Sequence, residues 1–315
     1  MRSGGVQRMQ PKYTFGEVEI LLVDSDLGSR NGVRTILSNN GFSNVTLGTE
    51  LLKIKDVLTS GMPDLIITGV DFPDGKITDI LPDIRNSKLG HNPFMPIIVM
   101  LGQTTPETIT ALMNAGPDDV VMKPISTKGL LQRMHKQIHK RRPFIVTEKY
   151  LGPARKGDDT SRGVPPPNPL YVKATGGKAS FIEVERMIGD ALQSVEERKL
   201  ENQGPEIAAL VGRLTPMLDK PLITPSAIGG LNMLIDLNTQ VVSQLEGSKY
   251  SHVQELCTAL ITVSKRLSET TAGAAPDPQQ VKLLKPLSQA IQAGFAGGIN
   301  SADAARMIVK QIGVG

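Results

Sequence analysis

Several groups of residues have the types and spacing to do chemistry. His135 and His139 stand four apart, a spacing that sets two imidazoles on one helix face and can chelate a metal ion, although no third ligand accompanies them. The run His139-Lys140-Arg141-Arg142 can meet nucleic-acid phosphates, with Arg141 and Arg142 as the contacts, or can be a solvated helix end whose cations suit the C-terminal dipole. Asp24-Ser25-Asp26 follows directly on an apolar run, Val18 to Val23. In open α/β sheets, ligands and chemistry sit just past the carboxyl ends of the strands. By that rule position 69, at the end of the run Leu65-Ile66-Ile67-Thr68, should carry a functional side chain, and it is glycine.

The elements that position these residues follow from the hydrophobic period. Apolar runs at 18–23, 45–47, 65–68, 96–101 and 120–122 read as short buried strands. Helical stripes alternate with them: Val33, Ile36 and Leu37; Leu51 to Leu58; Ile77, Ile80, Leu81 and Ile84; Ile109, Leu112 and Met113; Leu130, Leu131, Met134 and Ile138. Asn39-Asn40-Gly41 stops the first helix and Pro106 opens the fourth. Strands alternating with helices imply an α/β parallel sheet, doubly wound and covered on both faces.

In order and spacing these features resemble the receiver domain of two-component response regulators, over residues 18–142. The residues that carry the resemblance are the strand ending at Asp24, Pro63-Asp64-Leu65 with Pro73 and Asp74-Gly75 beyond it, and Ala115-Gly116 ahead of Val121-Met122-Lys123-Pro124. The resemblance implies a flavodoxin-like five-stranded sheet and phosphate transfer to a carboxylate, assisted by Mg²⁺, with a lysine on the phosphoryl group and a hydroxyl that senses it. Carried over, Asp24 and Ser25 take the acidic pair, Gly69 the acceptor, Leu101 the hydroxyl, and Lys123 with Pro124 the lysine position.

Three of those positions lack the required group. Glycine forms no acylphosphate, serine is a poorer Mg²⁺ ligand than a carboxylate, and leucine has no hydroxyl. The domain therefore reads as a pseudo-receiver, with Lys123 expected to pair with Asp24. Asp71, two residues past Gly69 and in phase with it along an extended segment, is the alternative acceptor. Asp26 is the alternative metal ligand beside Asp24, or the cap of the first helix. No cofactor is expected.

Beyond the receiver, Phe144-Ile145-Val146-Thr147 and Tyr150-Leu151-Gly152-Pro153 resemble an extension that follows some alphaproteobacterial receivers, and this apolar island is expected to dock on a folded surface. Residues 143–179 as a whole read as a basic, Pro-rich linker, largely helix-free from Lys156 to Pro169. Residues 1–17 read as a loose tail. From 180 to 315 the period is helical throughout, implying an all-α bundle. Its stripes run through Phe181 to Val195, Ile207 to Leu214, Ile228 to Leu245, Val253 to Leu267, Val281 to Ile291 and Ala305 to Ile312. Thr224-Pro225 and Asp277-Pro278 mark helix starts, and Pro286 is expected to kink or divide its helix. His252 lacks the lysine-glycine pair that follows a phosphotransfer histidine.

Composition bounds the rest. The 315 residues suffice for two domains, and 39% hydrophobic with 21% charged residues suits a globular chain. Aromatics are 3% with no Trp, which argues against base-stacking platforms, and a net charge of +4 is mild. The single cysteine, Cys257, cannot close an internal disulfide and falls within an apolar stripe. No apolar run is long enough to span a membrane. The expectation is a cytoplasmic, non-enzymatic signalling protein that binds a protein partner such as a kinase or regulator, or a second copy of itself. A phospho-acceptor switch at Asp71 and DNA binding through the basic junction are the alternatives.

Overall fold

The computed structural model describes residues 13–148, 150–270 and 272–297. The chain divides between Gln193 and Ser194 into two compact units.

In the first unit, β1 (Ile20–Val23), α1 (Leu27–Asn39), β2 (Val45–Gly48), α2 (Leu51–Ser60) and β3 (Leu65–Thr68) lead to a two-residue hairpin of β4 (Asp71–Phe72) and β5 (Gly75–Lys76). Then come α3 (Ile77–Arg85), β6 (Ile97–Leu101), α4 (Pro106–Ala115), β7 (Asp119–Met122) and α5 (Thr127–His139). The five long strands form one parallel sheet in the order β2-β1-β3-β6-β7. Alternation along the strands separates two cores. Leu21, Val23, Ile66, Ile97 and Val99 face one layer of helices, and Ile20, Leu22, Leu65, Ile67 and Ile98 face the other. The doubly wound α/β expectation holds.

Local chemistry sets the helix ends. The Asp26 carboxylate accepts from Ser29 N at 2.7 Å and opens α1, Thr105 and Ser126 open α4 and α5, and α4 stops at Gly116, whose φ of 94° favours glycine. Asp74 reaches across from the hairpin to cap α2, accepting from Leu51 N and Leu52 N, both at 2.9 Å.

The segment 143–179 packs on the sheet unit. β8 (Phe144–Val146) and β9 (Leu151–Pro153) form an antiparallel hairpin, Val164 bridges to Phe144, and α6 (Pro169–Ala174) places Leu170 and Ala174 in the core with Val18 and Phe42. Asn168 caps α6 with its Oδ1, while its Nδ2 donates to Gln137 O and Ile138 O and closes the end of α5. The helix-free expectation holds for 156–168, but the short α6 follows. Of the expected tail, residues 1–12 lie outside the described residues. Tyr13 and Phe15 are ordered against the fold, Phe15 stacking on Phe42 at 4.3 Å between centroids.

α7 (Phe181–Leu218) runs through both Pro205 and Pro216, joining two stripes that read as separate helices. A proline inside a helix removes one hydrogen bond, and packing on either side outweighs that loss here. The first turns of α7 belong to the first unit, so the boundary falls later than the expected 179/180.

In the second unit, the end of α7, α8 (Pro225–Leu245), a 3₁₀ turn (Ser251–Val253), α9 (Gln254–Ser268) and α10 (Pro278–Phe295) enclose a core that includes Leu214, Leu231, Leu260 and Leu287. Thr224-Pro225 and Asp277-Pro278 open helices as expected, and the 3₁₀ turn Ser251–Val253 leads into α9. Pro286 lies inside α10 without dividing it. The expected helix through Ala305, Ile308 and Ile312 lies outside the described residues. No helix among the described residues is long and apolar enough to cross a membrane.

Candidate functional site

The strand order 2-1-3 places its switch point between β1 and β3, and the residues just past their ends are Asp24 and Gly69. Gly69 N donates to Val23 O at 2.8 Å, which fixes the glycine backbone beside β1. A Cβ at Gly69 would stand 3.0 Å from Asp24 Oδ1 and 3.2 Å from its Cγ, so the glycine and the carboxylate are immediate neighbours.

Asp24 is almost wholly buried. Lys123, just past β7, brings its Nζ to 2.6 Å from Asp24 Oδ2, and Asp26 N donates to Oδ1 at 3.0 Å. Arg30, one turn into α1, donates to Asp24 O at 2.6 Å; that residue was not singled out from the sequence. The Lys123-Pro124 bond is cis. Leu101, at the end of β6, is buried in the apolar layer beside Leu112 and pairs with Met122 across the sheet.

The neighbouring polar residues are engaged elsewhere. Ser25 donates its hydroxyl to Asp71 O at 3.0 Å, tying the strand end to the hairpin. The Asp71 side chain is 72% exposed and faces Lys76 at 3.7 Å. Hydrogen bonds from Ser29 hold the Asp26 carboxyl below the usual aspartate range, as its capping role requires. The backbone N–H of Leu51, with that of Leu52, does the same for Asp74.

A hard divalent cation, which the resemblance implies, needs several oxygen ligands. Asp24 offers both oxygens to Lys123 and Asp26 N, Asp26 caps α1, Ser25 is a donor to Asp71 O, and Gly69 contributes no side chain. This donor set does not fit such an ion.

The basic junction is rearranged relative to its sequence reading. Arg141 is buried: it pairs with Asp118 Oδ1 at 3.1 Å and donates to Pro167 O and Phe94 O. Arg85 holds Asp118 Oδ2 at 2.7 Å from the other side and donates to the Gly116, Pro93 and Met95 carbonyls. The Phe144 ring lies against both guanidinium groups, at 5.2 and 5.9 Å. Burial pushes both arginines down, with Asp118 acting against it. Arg142 donates to Ala154 O, and Arg155 to Met113 O and Pro117 O at the end of α4. The Arg141 guanidinium is therefore held inside the fold by Asp118 and backbone carbonyls. Its sequence signal, a basic run, is the same for a buried cation as for a solvated one. Asp118 and Arg85 had no signal at all, since single charges in an amphipathic pattern read as surface.

His135 and His139 lie side by side, ring centroids 4.4 Å apart, and burial with the neighbouring imidazole pushes His139 down. No group of three metal-ligating side chains occurs among the described residues. Cys257 is buried in the second unit, where burial pushes its thiol up to about 12.

Residues 20–135 match the family described as response regulator receiver domain. A curated relative, the response regulator MprA of Mycobacterium tuberculosis (strain ATCC 25177 / H37Ra), is 30% identical over 131 residues, covering 42% of this chain and 55% of its own. MprA of Mycobacterium avium (strain 104) is 29% identical over 126 residues, covering 40% and 53%. The chain thus spans about half the length of these relatives. Among solved structures, a CheY-like response regulator receiver domain protein from Methanospirillum hungatei JF-1 has 25% identity and a TM-score of 0.33, covering 38% of this chain and 92% of its own. The receiver domain of the sensor histidine kinase PA1611 from Pseudomonas aeruginosa PAO1 has 22% identity and a TM-score of 0.34, covering 38% and 95%. Residues 20–135 are a response regulator receiver domain, the kind of domain that serves two-component signal transduction.

Proposed function

We propose that this receiver is a pseudo-receiver that signals by binding a protein partner and not by accepting phosphate. The observation that carries this reading is the Lys123–Asp24 ion pair of 2.6 Å beside the side-chain-free Gly69. With no carboxylate at 69, the lysine pairs with the remaining aspartate. Leu101 in the apolar layer supports the same conclusion, because it offers a phosphoryl group no hydroxyl.

The partner surface is formed by α4, β7 and α5. Ile109 of α4 and Met122 of β7 are large exposed apolar side chains, and Asp119 of β7 holds Lys136 at 2.9 Å and Arg133 at 3.9 Å on α5. Exposed apolar groups rimmed by charges are the composition of a transient interface. The DNA-binding alternative loses Arg141 as a contact, and the Asp71 alternative requires a carboxylate that now points to solvent.

Incubation of the full chain with Mg²⁺ and acetyl phosphate, followed by intact-mass measurement, tests the reading. No phosphoryl adduct is expected. A stable adduct that disappears in Asp71→Ala would overturn it. For the interface, Met122→Glu should weaken capture of the partner from the native source while leaving the fold intact.

A further inference from the structure

At the opposite end of the sheet, ahead of β3, a cavity of about 250 Å³ lies within the first unit. That is room for about eight waters at ~30 Å³ each, or a compact metabolite. Two of its wall residues are more than nine-tenths buried: Asp64, 4% exposed, and Asn92, 6% exposed.

Each keeps one side-chain atom free. Asp64 Oδ2 accepts from Glu19 N at 2.8 Å and from Lys173 Nζ at 2.9 Å. Asn92 Oδ1 accepts from Phe94 N at 3.0 Å, which settles the orientation of its amide. Among the described residues, neither Asp64 Oδ1 nor Asn92 Nδ2 has a hydrogen-bond partner. Neither atom is closed off from solvent, so an acceptor and a donor without a protein partner stand available in one wall, where a ligand group can take the place of water.

The wall offers an unpaired acceptor at Asp64, an unpaired donor at Asn92, and a third ammonium proton on Lys173 beyond those given to Asp64 and to Glu19 at 3.4 Å. Met62, Phe181 and Val184 supply an apolar side to the same cavity. We propose that this cavity binds a free α-amino acid with an apolar side chain. The ligand ammonium meets Asp64 Oδ1, its carboxylate meets Asn92 Nδ2 and Lys173, and its side chain lies against Met62 and Phe181. Neither charge alone would be as well matched, because the wall presents one carboxylate and one ammonium in contact with each other. The site lies at the other end of β3 from Gly69 and does not depend on how the degenerate pocket is read.

Titration calorimetry of the full chain with L-leucine tests this, with N-acetyl-L-leucine amide as the probe lacking both charges. Saturable one-to-one binding of leucine and none of the blocked amide are expected. Asn92→Ala should weaken binding by about tenfold or more, the loss of one hydrogen bond to a charged group. Ala179→Trp fills the cavity from its half-buried rim and leaves the Asp64–Lys173 pair in place. It should abolish binding while the thermal transition is retained. Four results would each overturn the proposal. They are no heat with leucine or any other apolar amino acid at millimolar concentration, which would mean water only; equal binding of the blocked amide; undiminished binding in Asn92→Ala; and undiminished binding in Ala179→Trp.

Discussion

Lys123 Nζ sits 2.6 Å from Asp24 Oδ2, and a Cβ at the neighbouring Gly69 would come within 3.0 Å of the same carboxylate. The aspartate is buried and the lysine is partly exposed, so the pair is screened from one side only. Removing one partner of a buried pair leaves an uncompensated charge at a cost of 3–5 kcal/mol when both are buried; partial exposure of Lys123 reduces this to roughly 1–3 kcal/mol. Lys123→Met should destabilise the receiver by that amount in urea unfolding. Asp24→Asn should cost less, because the amide oxygen still accepts from Asp26 N. Equal effects would contradict this account.

Restoring a carboxylate at the strand end is not expected to restore a switch. In Gly69→Asp the new Cβ meets Asp24 Oδ1 at 3.0 Å, closer than ordinary contact, and the two carboxylates compete for one lysine. Leu101 still provides no hydroxyl. Phosphodonor treatment of this variant should leave partner affinity unchanged. Gly69→Asp combined with Ser25→Asp supplies three carboxylates and should gain measurable Mg²⁺ binding by calorimetry, which neither single variant shows.

The hairpin and α6 are expected to be part of the receiver's folding unit. A chain ending at Arg142 lacks Phe144, Val164 and Leu170 and leaves Arg85, Arg141 and Asp118 open to water. It should melt well below one ending at Lys178. Within the full chain, Asp118→Ala strands two buried guanidinium groups and should cost about 3–5 kcal/mol. Stabilities equal to the parent would return residues 143–179 to the status of a spacer.

Acid stability should carry a component from Asp64. Burial raises its carboxyl above the ordinary aspartate value, with the Lys173 hydrogen bond and charge acting against that rise. The folded state therefore binds the proton more tightly than the unfolded chain. This component stabilises below the ordinary value and is lost as pH climbs through the window between that value and the raised one. Asp64→Asn should remove that downward slope. For Lys173, burial pushes the ammonium down but the Asp64 hydrogen bond and charge outweigh it, and the net shift is upward. Its contribution is present at neutral pH and lost as pH rises past the ordinary lysine value through the raised one. Lys173→Gln should flatten the alkaline limb.

Cys257 should resist alkylation in the native state, since its thiol is buried and pushed up to about 12. Modification by iodoacetamide at mildly alkaline pH should follow the unfolding of α9 and so report the opening of the second unit.

What could be read along the chain was whatever repeats locally. Alternating apolar runs and helical stripes carry the parallel sheet and the helical second half, because the period of burial is a property of neighbouring residues. Helix starts at Asp26, Thr224 and Asp277 were legible for the same reason: a cap and its target are two or three residues apart. Gly69, Ser25 and Leu101 were legible as missing groups only through the family resemblance, which supplies the positions. The tertiary structure alone decided where the long-range charges go. Arg141 and Asp118 are 23 residues apart in sequence, Lys173 and Asp64 are 109 apart, and no local pattern separates a cation that will be buried from one that will be solvated. Asp71 shows the converse. Its phase along an extended segment would aim it at the pocket, and the tight β4–β5 hairpin turned it toward Lys76 and solvent instead.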